Sequence, residues 1–245
     1  MTNTKQHVWL VRYGKTQFPL KEFDGPYNSD IHNPEGIEHA QAIATSIASS
    51  PVESKPSQVY CSPFTRTVHT AHIIASALGT KLNVEDGLYE WLTPSLLVDR
   101  SGVRTYPLSV KELKERFDLI DIEYESKNPI RDEYFPEEEK DLIERCQTTL
   151  DGILSVAGGE NVVIVAHAPC VQSIAFAMEG VASPAESKLE QLPLGGITRF
   201  SRDVVVVGQD GTTYGEWSMD FYGSTNHMPG EYKNGLGLWS LACFR

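Results

Sequence analysis

The order of apolar and amphipathic segments predicts an α/β fold: a three-layer α/β/α sandwich with a mainly parallel central sheet and an antiparallel edge. Between residues 7 and 179, apolar segments of strand length alternate with segments of helix length. This alternation is typical of parallel sheets covered by helices on both faces. Towards the carboxyl end, β-type segments follow one another without helices between them, which favours an antiparallel edge.

Each element has its own signal. Residues 7–12 are a short apolar strand, and residues 34–49 repeat isoleucine and alanine at helical spacing, with Pro34 near the helix start. The remaining predicted elements are a strand at 57–61, a helix at 63–78 that Gly79 ends, a strand at 81–84, a helix at 136–157, a strand at 161–166, a helix at 169–179 and a β meander at 196–201, 203–208 and 213–219.

Two segments do not fit the alternation. Residues 92–139 are irregular and contain four prolines, with a helical stretch near 109–117, and we expect an insertion over the carboxyl ends of the strands, where open α/β sheets bind ligands. Residues 222–245 combine glycines with aromatic side chains, which predicts an ordered tail packed on the domain. At 245 residues the chain fits one domain, so we expect residues 1–245 to form a single unit.

Composition excludes several classes of function. A net charge of -12 argues against nonspecific binding to nucleic acid or to an anionic membrane, both of which need clustered basic residues. The longest apolar runs are far shorter than the roughly 20 residues of a membrane helix, and the amino terminus is polar. The 4 cysteines form no Cys-x-x-Cys pair, so we expect reduced thiols in a soluble, cytoplasmic protein.

Four short motifs carry the chemical information. Arg12-Tyr13-Gly14 follows the first apolar strand, and a segment of the type Ser-Pro-x-x-Arg-x-x-x-Thr-Ala contains Arg66. Glu90 lies between two aromatic residues, and His167 directly follows the strand at 161–166. Arg12 ends one predicted strand, Arg66 lies shortly after a second and His167 directly follows a third, which places all three at the ligand-binding edge of a parallel sheet.

Taken together, these motifs resemble the histidine phosphatase superfamily, whose fold is phosphoglycerate mutase-like. In that family the first motif reads Arg-His-Gly, and its histidine takes up the phosphoryl group covalently. Here Tyr13 stands in the place of that histidine. The Glu-Trp and His-Ala pairs are most similar to the branch that includes the phosphatase domains of the suppressors of T-cell-receptor signalling.

The resemblance implies a role for each group. Arg12 and Arg66 would bind phosphate, because guanidinium forks match phosphate oxygens in two-point geometry. His167 would be a second phosphate ligand at a helix start and a candidate catalytic group. Glu90 would donate the proton to the leaving oxygen, a task that needs a pKa raised by burial.

Tyr13 changes the expected chemistry. A phenol has a reference pKa near 10, so only about one molecule in a thousand is ionised at pH 7 unless the site intervenes. A phosphotyrosine intermediate is chemically allowed, but the longer side chain would protrude into the phosphoryl site. The residues after Gly14 also depart from the family pattern, although Thr16 retains a hydroxyl for phosphate.

Three functions remain open from the sequence. The first is a domain that binds a phosphate group through Arg12, Arg66 and His167 but has lost efficient phosphohistidine-based turnover. The second is an active phosphomonoesterase that uses Tyr13 or His167 as nucleophile, and the third is a non-catalytic scaffold for protein interaction. The ligand would be a phosphorylated small molecule or phosphoprotein, possible partners include a protein, and neither metal nor cofactor is implied.

Overall fold

The computed structural model of the chain describes residues 2–16, 28–91, 107–130, 136–181, 189–207 and 211–240. Its centre is one mixed β-sheet. The strands are β1 (Thr2–Arg12), β2 (Gln58–Cys61), β3 (Leu82–Val84), β4 (Val162–Ala166), β5 (Ile197–Val207), β6 (Gly211–Tyr214) and β7 (Ser218–Ser224).

The strand order is β3-β2-β4-β1-β5-β6, with β7 also paired to β5. The first four strands in this order are parallel, and every pairing of β5 is antiparallel. The predicted fold class is therefore confirmed, including its antiparallel edge.

Helices cover both faces of the sheet. They are α1 (Glu35–Ala48), α2 (Thr65–Leu78), α3 (Val110–Arg116), α4 (Glu139–Ala157) and α5 (Ala168–Glu179). Alternate residues of β1 point to opposite faces: Val8 and Leu10 pack with α4 and α5, whereas Trp9 and Val11 pack with α1, α2 and α3. Burial of both faces explains why the parallel strands read as continuous apolar runs.

The antiparallel edge differs from its predicted boundaries. β1 begins at Thr2 rather than at residue 7, because its polar first half pairs with β5 in the register Thr2↔Val206. The predicted strands at 196–201 and 203–208 are one continuous strand, β5, which β1 supports along nearly its whole length. The predicted strand at 213–219 spans the end of β6 and the start of β7.

Part of the predicted insertion is anchored beside β3. The Leu82 amide donates to Leu119 (2.9 Å) and the Asp121 amide donates to Leu82 (2.8 Å), which places this segment along the edge of the sheet. The buried carboxylate of Glu85 accepts from the backbone amides of Lys127 (2.8 Å) and Asn128 (3.1 Å). Residues 92–106 and 131–135 lie outside the described residues, so the extent of the insertion and the single-domain boundary stay predictions.

The described part of the tail contains a 3-10 helix and backbone pairings with the segment before β5. β7 leads into a 3-10 helix, Gly230–Asn234, and the chain then returns to pair with residues 192–194. Leu192 and Trp239 exchange backbone hydrogen bonds of 2.7 and 3.1 Å, and the Leu194 amide donates to Leu236 (3.0 Å). Residues 241–245 lie outside the described range. None of the helices in the described ranges is long and apolar enough to cross a membrane.

Candidate active site

The four motif groups meet at the carboxyl edge of the parallel strands. Arg12 is the last residue of β1, and His167 directly follows β4 as the N-cap of α5. Arg66 is the second residue of α2, which begins shortly after β2, and Glu90 follows β3 and a 3-10 turn. Because β1, β2, β3 and β4 are parallel, their carboxyl ends bring residues distant in sequence into one cluster.

Arg66 lies at the centre of this cluster and is fully buried. Its Nη2 donates to Glu90 Oε2 at 3.1 Å. Its guanidinium carbon lies 5.1 Å from the ring centroid of Tyr13 and 4.8 Å from that of Phe64. The cation is therefore held by one carboxylate and by the faces of two aromatic rings.

Both ring nitrogens of His167 are engaged. Nε2 lies 2.8 Å from Ser62 Oγ, and Nδ1 lies 3.0 Å from Glu90 Oε2 and 3.1 Å from Arg66 Nη2. A proton on Nδ1 satisfies the carboxylate and leaves Nε2 to accept from the Ser62 hydroxyl, so we assign this tautomer. The assignment makes Ser62 the residue that fixes the imidazole from its far side.

The expectation of a raised pKa for Glu90 is wrong in this structure. Burial alone would raise it, but contacts with His167 and Arg66 outweigh burial and lower the Glu90 pKa to about 2. Burial lowers the His167 pKa to about 4, although Glu90 acts in the opposite direction. At neutral pH the cluster therefore contains an ionised Glu90 and an uncharged His167, and Glu90 is not the ready proton donor that the resemblance implies.

Tyr13 fills the space next to these groups. Its side chain is only 2% exposed, and its ring centroid lies 5.5 Å from that of His167 in an edge-on contact. The turn after it depends on Gly14, because a Cβ there would lie 2.8 Å from the carbonyl oxygen of Gly36 at the start of α1. The close approach of this turn to α1 fixes the phenol in the interior of the cluster.

Arg12 is held by backbone carbonyls. Its Nη1 donates to Leu192 O (2.7 Å) and to Gly237 O (2.6 Å). Its Nε is buried and makes no hydrogen bond within the described part of the chain. Burial lowers the Arg12 pKa, while the neighbouring Tyr13 and Glu90 side chains act to raise it. The guanidinium is thus bound to the segment before β5 and to the tail.

Two polar residues, Lys15 and Thr16, follow Gly14 in the loop after β1. The Lys15 ammonium lies 2.6 Å from Glu35 on α1, so its charge is paired. Thr16 is buried and forms a β-bridge with Ile31. The role of Thr16 in phosphate binding stays a prediction.

Three supporting residues were not identified from the sequence. Ser62 could have been predicted as a site residue, because it directly follows β2 and lies in the same motif as Arg66. Arg145 on α4 donates to the carbonyls of Gly87 (2.7 Å) and Tyr89 (3.0 Å) and forms a two-point contact with Glu137 at 2.7 Å for each bond. This ion pair fixes the segment that carries Glu90, and no local pattern marks it.

In chemical terms the cluster is a set of oppositely charged and polar groups that pair with one another. Arg12 and Arg66 supply two guanidinium groups, and Glu90 supplies a single carboxylate within contact of Arg66. An oxyanion with two or three equivalent oxygens would match this excess of donors. It would compete with Glu90 for Arg66 Nη2 and with the two carbonyls for Arg12 Nη1.

Comparisons with known proteins agree with this geometry. The family model of the histidine phosphatase superfamily (branch 1) matches residues 8–204, a span that contains all four motifs. The ubiquitin-associated and SH3 domain-containing protein B of Homo sapiens is 32% identical over 136 residues, which cover 53% of this chain and 20% of that protein. The corresponding Mus musculus protein gives the same values. This chain therefore matches only about a fifth of the length of these relatives.

Solved structures share the fold. The ecdysone phosphate phosphatase of Bombix mori, in complex with tungstate, superposes with a TM-score of 0.63 at 14% identity over 98% of this chain and 100% of that one. The phosphoserine phosphatase of Entamoeba histolytica, in complex with 3-phosphoglyceric acid, gives a TM-score of 0.60 at 18% identity over 91% and 100% of the two chains. These similarities, together with the family match, confirm the resemblance predicted from the motifs.

Proposed function

Because the chain belongs to the histidine phosphatase superfamily (branch 1), we propose that it binds a phosphorylated ligand through Arg12, Arg66 and His167 without efficient phosphohistidine-based turnover. One observation carries the proposal: Tyr13 is buried in contact with Arg66 and His167. By the motif resemblance, this is the position of the family's nucleophilic histidine. In this proposal Arg12 and Arg66 still supply positive charge for a phosphate group, whereas position 13 has no imidazole to receive the phosphoryl group.

Loss of turnover follows from the chemistry of position 13. Removing a nucleophile costs on the order of 10⁶ in rate in the best-studied protease. A second obstacle is the protonation state of Glu90, whose pKa of about 2 leaves no proton for a leaving group at neutral pH. Both features act on the chemical step and leave the binding charges in place.

The ligand class follows from the donors. Two guanidinium groups and a buried neutral imidazole suit an oxyanion, and the solved relatives are named as phosphatases of small phosphorylated molecules. A phosphate monoester of a small molecule or of a protein is therefore the ligand that we propose. The distinction between them lies in surfaces outside this cluster.

Hydrolysis of para-nitrophenyl phosphate between pH 5 and 9 tests the loss of turnover. We expect no turnover by the unaltered chain and a gain in Tyr13→His that disappears in the double variant Tyr13→His/Arg66→Ala. Binding of orthovanadate, measured by calorimetry, should be present in the unaltered chain and lost in Arg66→Ala. Turnover by the unaltered chain that disappears in Tyr13→Phe would instead establish the active phosphomonoesterase with tyrosine as nucleophile.

A scaffolding function is the second candidate, and one observation favours it. Each polar side chain of the cluster already has at least one protein partner: Glu90 for Arg66, Ser62 and Glu90 for His167, and two carbonyls for Arg12. A site whose groups pair largely with one another can persist for the stability of the fold alone. Absence of orthovanadate binding in a folded chain, and in folded Tyr13→His, would favour this candidate.

A further inference from the structure

The tail reaches the phosphate site through one backbone carbonyl. Gly237 O accepts from Arg12 Nη1 at 2.6 Å, and Leu192 O accepts from the same nitrogen at 2.7 Å. A buried guanidinium needs acceptors, and these carbonyls provide them. They therefore occupy both donors of Nη1, one of the three guanidinium nitrogens that a bound phosphate oxygen could use.

The contacts of residues 236–239, which we term the closing segment, suit reversible attachment. Backbone hydrogen bonds with Leu192 and Leu194 hold it, and Trp239 packs partly buried against the core. Its two leucines are more open to solvent: Leu236 is 38% exposed and Leu238 is 55% exposed. Apolar side chains left in water contribute little to holding a segment down. Detachment would break these hydrogen bonds and would also uncover the part of Trp239 that packs against the core.

Gly237 is the residue that allows the close approach. Its φ is +64°, a conformation that favours glycine, and a Cβ at this position would lie 3.0 Å from Leu194 Cβ. Any larger residue would strain the backbone and press the segment away from Leu194. A glycine at position 237 thus permits the Gly237 carbonyl to point towards Arg12.

We infer that the closing segment is a built-in competitor for Arg12, so that its detachment and the binding of a phosphate group favour each other. The inference rests on the proposed function, since it describes regulation of the same site. A phosphate oxygen is the stronger acceptor because its charge strengthens the hydrogen bond. Coupling of this kind is reciprocal: phosphate should loosen the segment by the factor by which loosening the segment strengthens phosphate binding.

Calorimetric titration with inorganic phosphate tests this inference in the full chain and in Gly237→Ala. We expect about tenfold tighter binding in Gly237→Ala, the ratio expected when one charge-assisted hydrogen bond no longer has to be broken. Gly79→Ala is the matched control, because Gly79 has a similar φ of +69°, lies at the end of α2 and has open space, with nothing within 4 Å, where a Cβ would be added. Its affinity for phosphate should equal that of the unaltered chain.

Hydrogen exchange supplies the reciprocal measurement. Saturating phosphate should accelerate exchange of the Trp239 and Leu194 amides in the unaltered chain and leave it unchanged in Arg66→Ala. Equal affinities in the unaltered chain and Gly237→Ala, both abolished by Arg66→Ala, would overturn the competition while the proposed function stands. Absence of phosphate binding in all the folded variants would overturn the proposed function and, with it, this inference.

Discussion

Arg145 and Arg66 are both buried arginines that contact a glutamate, yet the two ion pairs are built differently. Arg145 contacts both oxygens of Glu137 at 2.7 Å, and the two side chains are 3% and 1% exposed. Arg66 contacts only one oxygen of Glu90, at 3.1 Å, and that oxygen also lies 3.0 Å from His167. The first pair has the short two-point geometry of a strong ion pair, and the second does not.

We interpret the Arg145–Glu137 pair as structural and the Arg66–Glu90 pair as one in which an incoming anion can replace the glutamate. Arg145 uses its remaining donors on the carbonyls of Gly87 and Tyr89, so its removal would leave several buried acceptors unsatisfied. Arg66 is held partly by aromatic faces, which stabilise a cation without consuming its donors. An incoming oxyanion can therefore replace Glu90 at Arg66 at lower cost than any ligand could disturb Arg145.

The largest effect is expected from breaking the structural pair. Arg145→Met leaves Glu137 buried and uncompensated, and its free energy of unfolding should fall by about 3–5 kcal/mol. Urea denaturation measures this loss. Arg116→Ala is the control, because Arg116 is 45% exposed and its pair with Asp30 should be worth less than about 1 kcal/mol. Similar losses in both variants would contradict the structural role of Arg145.

The pH dependence of the free energy of unfolding reports on the cluster of Arg66, Glu90 and His167. The His167 pKa falls from 6.5 to about 4 on folding. Between these two pH values, His167 is therefore protonated in the unfolded chain and uncharged in the folded chain. The free energy of unfolding should therefore decrease by about 3 kcal/mol between pH 6.5 and 4 from this residue. The lowered pKa of Glu90 adds a further loss as the pH falls from 4.5 towards 2.

Urea denaturation between pH 7.5 and 4.5 measures this slope. His167→Gln should flatten it, whereas His72→Gln, at a half-buried histidine with a lowered pKa on α2, should change it less. A slope unaffected by His167→Gln would show that His167 titrates normally in the folded chain.

Ser62 offers a smaller and more local test. Ser62→Ala removes the donor to His167 Nε2 and leaves that nitrogen buried, which should cost about 1–3 kcal/mol. Ser173→Ala is the matched control, because the Ser173 hydroxyl is buried with no hydrogen bond within the described ranges and should be close to neutral. Equal losses in the two variants, measured by urea denaturation, would argue against the assigned tautomer of His167.

Local patterns predicted the elements and the residues that follow them. Apolar runs placed the parallel strands, and strand ends placed His167 and Arg12 at one edge of the sheet. The predicted strand boundaries were wrong where strand pairing, and not local composition, determines the structure. The polar start of β1 is a strand because it pairs with β5. Periodicity within one segment contains no information about such partners.

The electrostatics of the site could not be read from the sequence for the same reason. The aromatic neighbours of Glu90 predict its burial, but its lowered pKa depends on contacts with Arg66 and His167 that only the fold creates. The bond from Arg12 to Gly237 joins residues 225 positions apart. Motifs identified the groups of the site, whereas their pairing within it is a property of the tertiary structure.

The pairing of Glu90 with Arg66 can be removed by a single substitution. Glu90→Gln removes the carboxylate that competes with phosphate for Arg66, so the affinity for inorganic phosphate at pH 7.5 should rise about tenfold, or ~1.4 kcal/mol. Glu160→Gln makes the same change in net charge next to the start of β4, at the opposite end of the strand, and should have no comparable effect. A rise shared by both variants would indicate the overall charge of the protein as the cause. Weaker binding in Glu90→Gln alone would mean that the carboxylate positions Arg66 for phosphate, and the ion pair would then be part of the binding site instead of its competitor.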